Sequence, residues 1–150
     1  MLGGEFIKHG AQQTAKNTVT DPKFPGFERA GREFAFQEEW YSLKDFSPDI
    51  HVLTLIDAPS MKGSEYQRPP YPTTWARTEG KGRVWYTAMG HREDVWTNPI
   101  FQDILVGGIQ WALGEAPANV PANLKDTAPE AFRNPPFAAP KPATANSKVN

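Results

Sequence analysis

Hydrophobic positions cluster between residues 34 and 113, and their period changes along the way. Phe34-Ala35-Phe36-Gln37-Glu38-Glu39-Trp40-Tyr41 alternates with period two. Phe34, Phe36, Glu38 and Trp40 share one face, and Ala35, Gln37, Glu39 and Tyr41 the other, which predicts a strand. Residues 50–57 predict a second strand, with Ile50, Val52 and Ile56 on one side and Leu53 and Leu55 on the other. A strand apolar on both sides is covered on both sides, so this one belongs at the centre of a sheet. Residues 58–72, with Ser60, Lys62, Gly63, Ser64 and Pro69-Pro70, predict a long surface loop. Residues 73–78 and 83–89 predict an antiparallel hairpin closed by Glu79-Gly80-Lys81-Gly82, whose glycines suit a tight turn.

From residue 98 the period becomes helical. Asn98 is a natural N-cap and Pro99 a natural first helical residue. The helix that follows aligns Phe101, Ile104, Leu105, Gly108 and Ala112 on one face, with Ile109 beside them, and Gly114 ends it. Gly107 and Gly108 each cost about 1 kcal/mol relative to alanine inside a helix, so their presence predicts close packing against the sheet. Residues 1–33 read as loops with one weak strand over 15–20, whose low apolar content suits a sheet edge. Residues 115–150, dominated by Pro, Ala, Asn and Lys, predict a loosely ordered tail laid on the domain by Phe132 and Phe137. The inventory is one layer short: two strands demand cover on both faces, and one helix covers only one. Either a partner subunit or a further part of the same domain is expected to supply the rest.

Composition removes several classes. Sixteen Lys and Arg against 17 Asp and Glu leave a net charge of -1, without the basic excess that nucleic-acid binding needs. No apolar run approaches the roughly 20 residues of a membrane helix. Residues 1–6 carry no basic-then-apolar leader, so the chain alone reads as cytoplasmic, while a leader upstream in a longer parent would make it periplasmic or secreted. Cysteine is absent, which removes disulfides, a cysteine nucleophile and thiolate metal sites from these residues.

Five motifs in order carry a likeness to a known family. They are Glu38-Glu39-Trp40-Tyr41, His51-Val52-Leu53, Pro72-Thr73-Thr74-Trp75-Ala76-Arg77, Gly80 through His91, and Pro99-Ile100-Phe101 with Gly107-Gly108-Ile109-Gln110-Trp111-Ala112. Over residues 2–114 the chain resembles the second half of a trehalose-utilisation (ThuA-like) domain. The resemblance implies an α/β, flavodoxin-like sandwich related to class I glutamine amidotransferases, incomplete here because its N-terminal strands and helices are missing. The segment Leu2–His9 resembles one that ends His-Pro in the family; here Gly10 follows His9. The implied role is in the metabolism of trehalose or another disaccharide or keto-sugar, with a hydrolase or lyase-type reaction rather than glutaminase activity. The alternatives are a non-catalytic carbohydrate-binding or scaffold domain, and an inactive fragment. The expected partners are a small sugar and either a second copy or the missing N-terminal half, with no nucleic acid and no membrane.

His91 leads the candidate chemistry. It follows a buried strand and a glycine, at the strand end where open α/β sheets collect ligands. The resemblance implies a general base or metal ligand there, with Glu93 or Asp94 as the carboxylate that orients the imidazole. His9 is the second candidate, from the Gly-Gly-x-Phe-x-x-His pattern; with His91 and a carboxylate it could hold a zinc-like divalent ion. Sequence does not show whether the two histidines converge. Glu39 is favoured over Glu38 as the site acid, Glu38 being the one expected to be solvated or paired. Trp40 and Tyr41 read either as a stacking surface for a sugar ring or as core aromatics. His51 reads as structural, and Trp75 and Trp85 as packing residues.

Overall fold

The computed structural model describes residues 1–136. Seven strands form two sheets: β1 Glu5–His9, β2 Gln13–Val19, β3 Glu33–Glu38, β4 Tyr41–Lys44, β5 His51–Ile56, β6 Tyr71–Glu79 and β7 Gly82–Thr87. One sheet has the order β3-β2-β5-β6-β7, and β1 pairs with β4 in a two-stranded ribbon. Every pair is antiparallel. Helix α1 spans Pro99–Leu113, and a single turn, α2, spans Leu124–Thr127. The architecture is α/β, with antiparallel sheets and one substantial C-terminal helix.

Strand β5 is central, as its two-sided apolar pattern demands, and β6 and β7 form the expected hairpin. Glu79 pairs with Gly82, so Gly80 and Lys81 alone make the turn, with Gly80 at φ +58°. Helix α1 starts and stops where its capping signals stand. The Asn98 side chain accepts the Ile100 N–H at 2.9 Å, and Gly114 closes the helix at φ +86°.

Consecutive residues on β6 and β7 face opposite ways, so Trp75 and Tyr86 stack on one face at 4.1 Å while Trp85 lies on the other. Gly108 of α1 sits so close to Trp85 that a Cβ would meet the ring at 2.2 Å. The opposite face receives the N-terminal segment and Phe46, which meets Trp75 edge-on at 5.9 Å. Trp75 Nε1 donates to the Leu2 carbonyl, and Gly3 and Gly4 pass against the same ring. The second layer expected from elsewhere is therefore partly supplied by the chain itself, through loops and the β1–β4 ribbon rather than a helix.

Other expectations are corrected. The weak strand β2 is internal, between β3 and β5; its inward Asn17 is polar but fully buried, with its Oδ1 accepting from Thr73 at 2.7 Å. The first residues are not all loop, since β1 lies among them. The alternating stretch from Phe34 breaks after Glu38, and Tyr41 starts a different strand. The 58–72 loop is exposed over much of its length but turns inward at Glu65, Tyr66 and Arg68, which are buried, and β6 begins at Tyr71. Pro72 is accommodated beside the irregular pairing at Leu55. Ile109 of α1 is exposed, and the buried stripe is Phe101, Ile104, Gly107, Gly108 and Trp111.

Residues 115–136 are anchored on the domain at particular points. Asn123 clamps Val52, accepting its N–H at 2.6 Å and donating to its carbonyl at 3.2 Å. His51 Nδ1 donates to the Pro121 carbonyl, and Leu124, Ala128 and Ala131 are buried. Phe132, expected to hold this segment down, is half exposed; Phe137 lies outside the described residues. Among the described residues no helix is long and apolar enough to cross a membrane.

Candidate functional site

The inward alternation of β3, through Phe34 and Phe36, delivers Glu38 to the interior at the strand's end. Glu38 is fully buried and forms no ion pair among the described residues, yet its carboxylate is saturated. Oε2 accepts the N–H groups of Gly90 at 2.7 Å and His91 at 3.0 Å, and Oε1 accepts those of Arg92 at 3.0 Å and Glu39 at 2.8 Å. Gly90, at φ +107°, lets the chain bend so that three successive amides converge on one side chain.

The next residue, Glu39, points the other way and keeps 17 % of its side chain exposed. Its Oε1 lies 3.5 Å from His9 Nδ1, and its Oε2 lies 3.5 Å from His91 Nε2. His9 arrives through the ribbon, where it pairs with Tyr41, two residues beyond Glu39. His91 arrives on the turn that Glu38 holds. The structure thus joins three of the residues singled out from the sequence around one carboxylate.

His9 Nδ1 also lies 3.1 Å from the Gly10 carbonyl. Both of its neighbours are acceptors, so this nitrogen is placed to donate. The departure at Gly10 has a local reason. The Gly10 N–H donates to the Tyr66 hydroxyl at 2.9 Å, which itself donates to the Trp40 carbonyl at 2.6 Å. A Cβ at Gly10 would lie 2.0 Å from Glu65 Oε1. Burial disfavours ionised Glu65 most strongly, yet a backbone hydrogen bond and Lys8 at 3.2 Å together hold it below the usual carboxylate range.

His91 also lines an open cleft of about 580 Å³, together with Gln12, Arg92, Glu93 and Asp94. Arg92 Nη1 donates to Gln12 Oε1 at 2.6 Å, and Arg92 grips Asp94 through Nε at 2.9 Å and Nη2 at 3.1 Å. The Arg92 hydrogen bonds lower the Asp94 carboxyl below its ordinary range. Asp94 is therefore committed to Arg92, and the carboxylate beside the His91 imidazole is Glu39; neither Glu93 nor Asp94 pairs with it. Gln12 and Arg92 carried no sequence signal. Glu38 did, since its alternation with Phe34 and Phe36 marks a buried face.

Trp40 is fully buried, with its Nε1 donating to the Gln13 carbonyl, so it offers no face to a sugar. Tyr41 is half-buried against Phe6, ring centroids 5.1 Å apart, edge to face. His9 and His91 each turn an imidazole nitrogen to an oxygen of Glu39. Among the described residues no group of three or more His, Asp or Glu side chains is arranged to hold a metal ion. His51 is structural: buried on β5, it bridges Pro121 and Asp21, its Nε2 lying 3.0 Å from the Asp21 carboxylate.

The model of the family described as "ThuA: Trehalose utilisation" matches residues 1–112. A crystal structure of a ThuA-like protein from Parabacteroides merdae ATCC 43184 superposes with a TM-score of 0.54 at 20 % sequence identity. The match covers 81 % of this chain and 45 % of that one, so the chain spans less than half the length of that structure. No curated protein matches.

Proposed function

The chain belongs to the trehalose-utilisation (ThuA) family, and from that premise we propose that it carries an acid–base site for a disaccharide or keto-sugar. The observation that supports this reading is the Glu39 carboxylate with one imidazole at each oxygen, that of His91 also lining a polar cleft. The His91 imidazole takes a proton from a sugar hydroxyl, or from a carbon next to a sugar carbonyl, and Glu39 stabilises the imidazolium that results. The 3.5 Å separations are longer than hydrogen bonds and suit a site that tightens around its ligand. Arg92, preset by Gln12 and Asp94, offers guanidinium N–H groups to sugar oxygens. Glutaminase chemistry is not proposed, since these 150 residues hold no cysteine.

The test is turnover of trehalose, other disaccharides and keto-sugars by the full protein, with His91→Ala and Glu39→Gln. Each variant is expected to lose roughly 100-fold or more in kcat, as removal of a general base does. Unchanged turnover in His91→Ala would sink the proposal.

We further propose that the chain is the C-terminal part of a larger flavodoxin-like domain. The coverage of less than half of the Parabacteroides structure supports this, as does the apolar stripe of Val106, Ile109 and Leu113 that α1 leaves exposed. Lysine at Ile109 and Leu113 is expected to leave the melting temperature of these 150 residues unchanged and to lower that of a longer chain. Equal effects on both would count against it.

A further inference from the structure

Glu38 is a costly residue for its place. A carboxyl group with no ion-pair partner among the described residues is expensive to bury, and the interior of a β3 edge asks only for another aromatic like Phe34 or Phe36. What Glu38 does instead is tie two distant parts of the chain to one point. It joins the end of β3 to the turn at 90–92 through three amides that have no partner in a strand or helix, and through the fourth it fixes the backbone of Glu39. Four charge-assisted bonds converge on one rigid group, and the residues they fix are the two that meet across the site, Glu39 and His91.

We infer that Glu38 is the positioning residue of the acid–base site: it sets the separation and angle between Glu39 and the His91 imidazole without touching the ligand. This deepens the reading proposed above and rests on it for its catalytic consequence, not for its geometry. The adjacent glutamates divide the work, one facing inward to build the turn and the other outward to pair with the imidazoles.

Two measurements test it, and neither needs turnover. In the unaltered protein, amide hydrogen exchange at Gly90, His91 and Arg92 is expected to be as slow as in β5, although these residues lie in a turn. Exchange at the rate of an open loop would overturn the inference. In Glu38→Gln, the substituted amide turns an N–H toward N–H donors. The ring ¹⁵N signals of His91, which report its tautomer, are then expected to shift, while those of His51, held separately by Asp21 and Pro121, stay in place. A lowered melting temperature with unchanged His91 signals would mean a merely structural carboxylate and would also overturn it. If a sugar is turned over, Glu38→Gln is expected to lower kcat roughly 100-fold with little change in KM. If no sugar is turned over, the acid–base reading fails, and the exchange and ring signals still decide the role of Glu38.

Discussion

Gly107→Val is expected to destabilise the fold by about 4 kcal/mol. The segment at Pro25-Gly26 and helix α1 interlock through two missing side chains. A Cβ at Gly107 would lie 2.1 Å from the Pro25 carbonyl oxygen, and one at Gly26 would lie 2.1 Å from the Asp103 carbonyl oxygen. Both obstacles are backbone, so neither can rotate away. Valine adds two methyls to a clash already present at Cβ, and it must lift the segment that seats Phe24 against Trp111, now 5.6 Å apart. The loss far exceeds the roughly 1 kcal/mol that a better helix former contributes at an unconstrained glycine. For a chain of this length the melting temperature is expected to fall by about 10–15 °C. Val106→Ala, one residue earlier on the exposed side of α1, serves as the control and is expected to change stability by less than about 0.5 kcal/mol. Similar melting temperatures for Gly107→Val and the unaltered chain would refute the interlock.

Arg68→Ala is expected to cost a comparable amount, about 4 kcal/mol. Arg68 is buried with no carboxylate beside it. Its two terminal nitrogens donate to the carbonyls of Leu43 and Ala131, and its guanidinium carbon stands 4.4 Å from the centre of the Tyr71 ring. Burial draws its pKa below the ordinary arginine value. The side chain bolts β4 to the 124–136 segment by hydrogen bonds to neutral acceptors. Alanine leaves two buried carbonyls unpaired and a cavity on Tyr71. Arg68→Met keeps the apolar stem on the ring and is expected to lose only about 2 kcal/mol, the share of the unpaired carbonyls. Urea unfolding of the three proteins separates the contributions, and hydrogen exchange at Ala131 is expected to quicken in both variants. If Arg68→Met proved as stable as the unaltered chain, the bolt would be apolar packing alone.

Much of the local structure was legible in the residues, and for a common reason. Asn98-Pro99, Gly114 and Gly80-Lys81 act through their own torsions and hydrogen bonds within a few positions, so the helix and the hairpin appeared where these stand. The two-sided apolar run of β5 needed no partner to reveal its burial. The Gly107-Gly108 pair announced a close approach, although only the structure showed that one faces Pro25 and the other Trp85. Polar residues in buried places were harder to read. Asn17 and Arg68 look like surface by residue type, so their burial is invisible until β2 is placed between β3 and β5 and the 58–72 loop turns inward.

The candidate site divides in the same way. Period-two alternation sufficed to turn Glu38 and Glu39 to opposite sides, and the residue types at His9, Glu39 and His91 made them candidates. Their meeting was decided by the tertiary structure, because it depends on contacts between residues far apart in the chain. The pairing of β1 with β4 brings in His9, and the amides of Gly90, His91 and Arg92 settle on Glu38, more than fifty positions away. Alternation and capping are properties of neighbouring residues, and a sequence displays them directly. A carboxylate that is satisfied by distant backbone amides leaves no local trace, because any residue but proline could supply those amides.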